Sequence, residues 1–129
     1  MTVEKWNAAA ITTLASTELN SLASAAGALG VEYDNATNDY PFGMFELTVT
    51  FGSAPTAGKT VDLYLIPAAD GTNYSTTVTG ASGYAQSTSY VGSFPLQAVT
   101  TLQRLNLGGI GARGTLFLPP TKFKAYILN

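Results

Sequence analysis

The chain has 129 residues, a net charge of −2, and only 11% charged residues against roughly 25% in a typical soluble domain. Its length suits one domain with one core. It holds neither cysteine nor histidine, which excludes disulfides, thiolate metal sites, cysteine nucleophiles and the commonest general base.

The six basic residues are scattered and the net charge is negative, so nucleic acid is not an expected partner. No apolar run approaches the roughly 20 residues of a membrane span. The N-terminus reads as a poor signal peptide, and cytoplasmic synthesis is the expectation. With so few charges the surface must be covered largely by Thr, Ser, Asn and Gly. Such a surface has a weak electrostatic guard against association.

Residues 1–30 read as a unit of their own, an extended arm or a disordered tail over 1–15 followed by a short helix. In STELNSLASAAGALG, Ser16 or Thr17 is placed to cap a helix, with Glu18 in its first turn. Leu19, Leu22, Ala26 and Leu29 recur at helical spacing, and Gly27 and Gly30 read as stop signals. About three turns cannot stand alone, so Leu19 and Leu22 must dock on the chain's own body or on a neighbour.

From residue 31 the period becomes two. MFELTVTF sets Phe45, Leu47, Val49 and Phe51 on one face and Glu46, Thr48 and Thr50 on the other. TVDLYLI places Val61, Leu63 and Leu65 opposite Asp62, Tyr64 and Ile66. A long polar stretch follows, with a weak strand expected near residues 75–79. In SYVGSFPLQAV, Pro95 predicts an edge strand or a strand end. TLQRLNL alternates, GGIGARG reads as a loop, and TKFKAYILN turns Phe123, Ala125 and Ile127 to one side. That last pattern predicts a C-terminus tied into a sheet. The whole predicts an all-β fold, an antiparallel β-sandwich of jelly-roll type over 31–129.

Three groups of residues can carry chemistry. Glu46 and Asp62, on strands expected to be neighbours, are the available carboxylate pair, although alternation alone turns such residues to solvent. EYDNATND, residues 32–39, is an oxygen-rich loop of the kind that binds calcium, but it lacks the spacing of an EF-hand. In LYLIPAADGTNY, Asp70-Gly71 is a turn signal. The binding alternative makes Asp70 and Asn73 anchors and Tyr74 a stacking platform for a sugar ring.

The order of these pieces resembles a known class. ELNSLASAAGALG, DNATND, VDLYLIPAADGTNY, YVGSFPLQ and LFLPPTKFKAYILN follow one another as in small virion structural proteins of tailed bacteriophages. These proteins cement or decorate the capsid. The resemblance implies a non-enzymatic β-sandwich without cofactors, seated on major capsid protein subunits, often as a homotrimer, on the virion surface. Interface anchors tend to be aromatic. Trp6 is the first candidate, since a lone tryptophan outside the sandwich has no evident core to fill. Leu19, Leu22, Tyr74, Tyr84 and Tyr90 follow, with Tyr33 and Tyr40 as weaker ones. The alternative is a carbohydrate-binding module of a phage tail or capsid surface, with a host glycan as ligand.

Overall fold

The computed structural model describes residues 11–37, 39–107 and 116–129. These residues form an antiparallel all-β fold of eight strands. They are β1 (Gly27–Asp34), β2 (Phe42–Gly43), β3 (Phe45–Val49), β4 (Thr60–Pro67), β5 (Tyr90–Pro95), β6 (Gln103–Leu107), β7 (Leu116–Phe117) and β8 (Lys122–Leu128). One four-stranded sheet runs β1-β8-β4-β5, and β3 pairs with β6 and β2 with β7. The described strands therefore divide four, two and two. The four-and-four division of a jelly roll is not seen among them.

The alternation read from the sequence sets the core. Leu63 stands beside Ile127 and Leu65 beside Ala125 in the β4–β8 ladder, and Val61 stands beside Phe94 in β4–β5. Their side chains share one face of the sheet, because side chains alternate along each strand. Leu47 from β3 packs onto that face, and Phe45, Val49, Leu105 and Leu107 complete the cover. The β3–β6 ribbon is thus one lid of the sandwich. The C-terminal strand lies between β1 and β4, so it is a central strand and is firmly tied into the sheet. β5 is an edge strand and ends at Pro95, where the missing N–H breaks no ladder bond.

The opposite face of the sheet is covered by residues 68–89, the connection from β4 to β5. Apart from one 3-10 turn at Ser87–Ser89 it has no helix or strand, and such long connections are uncommon and often functional. Ile66 and Tyr126 are buried beneath it against its own Ala85, with Leu29, Tyr64, Leu128 and the connection's Tyr74 partly so. The strand expected at 75–79 is absent. In its place are two isolated antiparallel bridges, Gly27 with Gly80 and Val78 with Tyr84. Tyr126 donates its hydroxyl to the Val78 carbonyl at 2.5 Å, which satisfies a phenol that is otherwise fully buried.

The N-terminal helix is corrected. Only Thr17–Leu19 turns helically, as a single 3-10 turn. Ser21 and Ala25 take positive φ, which breaks any continuing helix. Residues 27–34 are β1, so the strand crosses the expected boundary at residue 30. The leucines do dock, on the chain's own body: Leu14, Leu19 and Leu22 pack against the main core. Gly27 and Gly30 serve close approach instead of helix termination. A Cβ on Gly27 would lie 1.7 Å from the Tyr126 hydroxyl, and one on Gly30 would lie 2.1 Å from the Leu14 carbonyl oxygen. A short helix had little intrinsic stability to set against the ladder that β8 offers.

Candidate functional site

The polar loops are largely occupied by their own architecture. Asp70 sits at the turn into residues 71–89, with Gly71 at φ +79°. Its Oδ1 accepts the N–H groups of Thr72 (2.8 Å) and Asn73 (2.6 Å), and its Oδ2 accepts the Asn73 side-chain amide (2.7 Å). The Asn73 backbone N–H, then its side chain and the Thr72 N–H, hold the carboxyl well below its usual value, at about 2. Asp70 and Asn73 therefore hold the turn together and satisfy each other.

Tyr74 is half-buried against the lower core. Its hydroxyl donates to Glu32 Oε2 at 2.5 Å, and the Lys124 ammonium lies 4.6 Å from its ring centroid. One ring face is thus taken by a cation. Desolvation, and then the bond to Glu32, push the phenol up to about 12. Glu32 also pairs with Lys122 at 3.2 Å. The Tyr74 hydroxyl and, next, Lys122 hold the Glu32 carboxyl below its ordinary value. The loop is a latch on the sheet, and the residues proposed to grip a sugar are those that close it.

The other constellations come apart. β3 pairs with β6 while β4 pairs with β5 and β8, so Glu46 and Asp62 lie in different sheets. Glu46 pairs with Arg104 at 3.4 Å, an exposed contact. Asp62 Oδ1 accepts the Ser93 hydroxyl at 2.5 Å and the Thr60 hydroxyl at 3.2 Å. In the 32–39 stretch, Glu32 and Asp34 belong to β1. Asn35 is fully buried; its amide donates to the carbonyls of Tyr40 and Pro119 and accepts the Tyr40 N–H. It is a rivet between two chain segments, with no oxygen to offer calcium. Among the described residues, no three acidic side chains gather as a metal site.

The aromatic candidates divide. Trp6, the first of them, lies outside the described residues, as does all of GGIGARG. Leu19 and Leu22 are internal packing. Tyr33 lies against Phe123, with ring centroids 5.3 Å apart. Tyr84 and Tyr90 are exposed, although the Tyr90 ring meets Tyr64 edge-on and its hydroxyl is bonded to Ser93.

Large apolar side chains are exposed elsewhere, at and beside the β2–β7 ribbon. In the β2–β7 ribbon Phe42 stands beside Phe117, with ring centroids 5.1 Å apart. Phe42 is 44% exposed, Met44 65% and Phe117 79%. The signal was present in the sequence. The parity that turns Phe45 and Leu47 inward turns Phe42 and Met44 outward, onto the side of Glu46 and Thr48. Phe117 needed the register as well. The outward positions of β2 and β3 therefore change character along the chain. They are apolar at Phe42, with Phe117 beside it, and at Met44 between the two strands, and polar at Glu46 and Thr48, with Arg104 beside them.

No protein-family model matches the chain, and no curated protein or solved structure is significantly similar to it.

Proposed function

We propose that the protein is a capsid cement or decoration protein of a tailed bacteriophage. It binds major capsid protein subunits, stabilises the head shell and has no catalytic role. The observation that carries this reading is the exposure of Phe42 and Phe117 in the β2–β7 ribbon and of Met44 beside it. Three such side chains expose on the order of a few hundred Å² of apolar surface, the size of patch that marks an interaction site. The order of sequence motifs, with its resemblance to virion structural proteins, supplies the partner. The low charge of the chain adds support, since little desolvation of charge opposes close association. Mechanically, several weak contacts made at once from a homotrimer hold a shell more firmly than any one of them.

The test uses expanded capsids that lack the protein. The wild type is expected to remain on the shells through sedimentation and to raise their resistance to heat. The double variant F42S/F117S, altered only on the outward side of the ribbon, is expected to stay folded and to lose retention. Normal decoration by the variant would remove the ribbon from the interface. Failure of the wild type to bind any such shell would remove the function.

A further inference from the structure

A second feature is independent of the capsid role. A surface depression of about 360 Å³ lies at one end of the four-stranded sheet, lined by Ser24, Gly58, Lys59, Thr60, Asp62 and Gly83 among others. Its volume is within the range of small-molecule sites, roughly 300–1,000 Å³. Asp62 Oδ1 is held by the hydroxyls of Thr60 and Ser93, which fixes the carboxylate in place. Its Oδ2 accepts no hydrogen bond among the described residues, and Lys59 forms no ion pair among them. Outside the lining, the Tyr90 hydroxyl is 2.7 Å from Ser93 Oγ, so the bonds that hold Asp62 extend along β5.

We propose that this depression is a saccharide-binding site. The argument is one of matched chemistry. A fixed carboxylate with a free oxygen accepts hydroxyl protons, and an unpaired ammonium donates to hydroxyl oxygens. Ala25 and Leu128 in the lining offer an apolar wall to the C–H side of a sugar. An anion is disfavoured by Asp62, and a metal cation by Lys59 and by the single carboxylate. A neutral polyhydroxyl ligand uses both groups at once. The site is distinct from the turn at Asp70 to Tyr74, whose polar groups hold the latch.

The test is amide chemical-shift mapping of the full chain with glucose, galactose, mannose and N-acetylglucosamine at millimolar concentrations, each as monosaccharide and short oligomer. Shifts are expected at Lys59 to Asp62, Gly83 and Ser93 with at least one of them. D62N is expected to weaken that binding about tenfold or more, the scale of a lost hydrogen bond to a charged group. K59A, at an exposed turn, is expected to weaken it without touching the fold. Absence of shifts with every sugar overturns the proposal. So do shifts confined to Asp70 to Tyr74, or a response at Lys59 to inorganic phosphate alone. Capsid retention of D62N and K59A is read in parallel and is expected to be unchanged, so a failed sugar site and a failed capsid role are distinguishable.

Discussion

The two faces of the four-stranded sheet are covered by different physics. One face lies under the β3–β6 ribbon, through Leu47, Val61, Leu63, Phe94, Ala125 and Ile127, with no titratable side chain in the buried cluster. The other lies under residues 68–89, which contribute little apolar surface. That cover is held by backbone bridges, the Tyr126–Val78 bond and the Tyr74–Glu32–Lys122 latch. Hydrophobic burial is non-directional and tolerates small displacements, whereas a hydrogen-bonded cover needs each donor and acceptor in place. The first face is expected to set the global stability, and the second to open locally.

The largest expected effect is on the first face. Phe94→Ala empties a buried site beside Val61 and should cost about 3–5 kcal/mol in denaturant unfolding. A loss below about 1 kcal/mol would mean that the ribbon does not seal that face. Gly27→Ala should come next, at about 1–3 kcal/mol, because its Cβ meets the Tyr126 hydroxyl and ring. Its signature is local. Hydrogen exchange should quicken at the Gly27 and Gly80 amides, which bond each other's carbonyls, and stay slow in β3 and β6. Equal acceleration everywhere would contradict the division into two covers. Tyr126→Phe is smaller, about 1 kcal/mol, since it removes one hydrogen bond and keeps the ring. It should loosen residues 78–84 first, read by the same exchange measurement.

The same division governs what was legible in the sequence. Period-two alternation placed Val61, Leu63 and Leu65, and Phe123, Ala125 and Ile127, on the correct face, because a half-buried strand must alternate. β1 was not legible. Its one leucine, Leu29, falls at helical spacing from Leu22 and Ala26, and its pairing with β8 is a long-range fact that no local pattern carries. The second cover was hidden for a related reason: nothing in the polar stretch shows that Gly80, at positive φ, bonds Gly27 of β1 or that Gly83 packs closely against it. Of the candidate site, the Asp70 turn could be read from its dipeptide, and the outward Phe42 and Met44 from parity. The Phe42–Phe117 pairing and the depression at Asp62 needed the register.

The smallest effect is the most discriminating, because pH acts on one cover and not on the buried cluster under the other. Glu32 has a carboxyl pKa below the ordinary 4.5, so its contribution is complete above that value and fades as pH falls through the lowered one. Asp70 behaves alike, between its ordinary 3.8 and about 2. Tyr74 works in the opposite sense. Its phenol is raised from 10 to about 12, so its contribution is complete below 10 and is lost as pH rises through about 12. Glu32 and Asp70 are exposed and Tyr74 is half-buried at the surface, and solvent screening keeps each contribution small. The expectation is therefore an exchange profile in which residues 70–84 lose protection at both extremes of pH while β3 and β6 keep theirs. Glu32→Gln should flatten the part of the acid response that comes from the latch and leave the part from Asp70. Tyr74→Phe should weaken the latch at every pH and remove the basic limb. If both covers lose protection together in acid, the sandwich opens as one unit, and the hydrogen-bonded latch has no independent life.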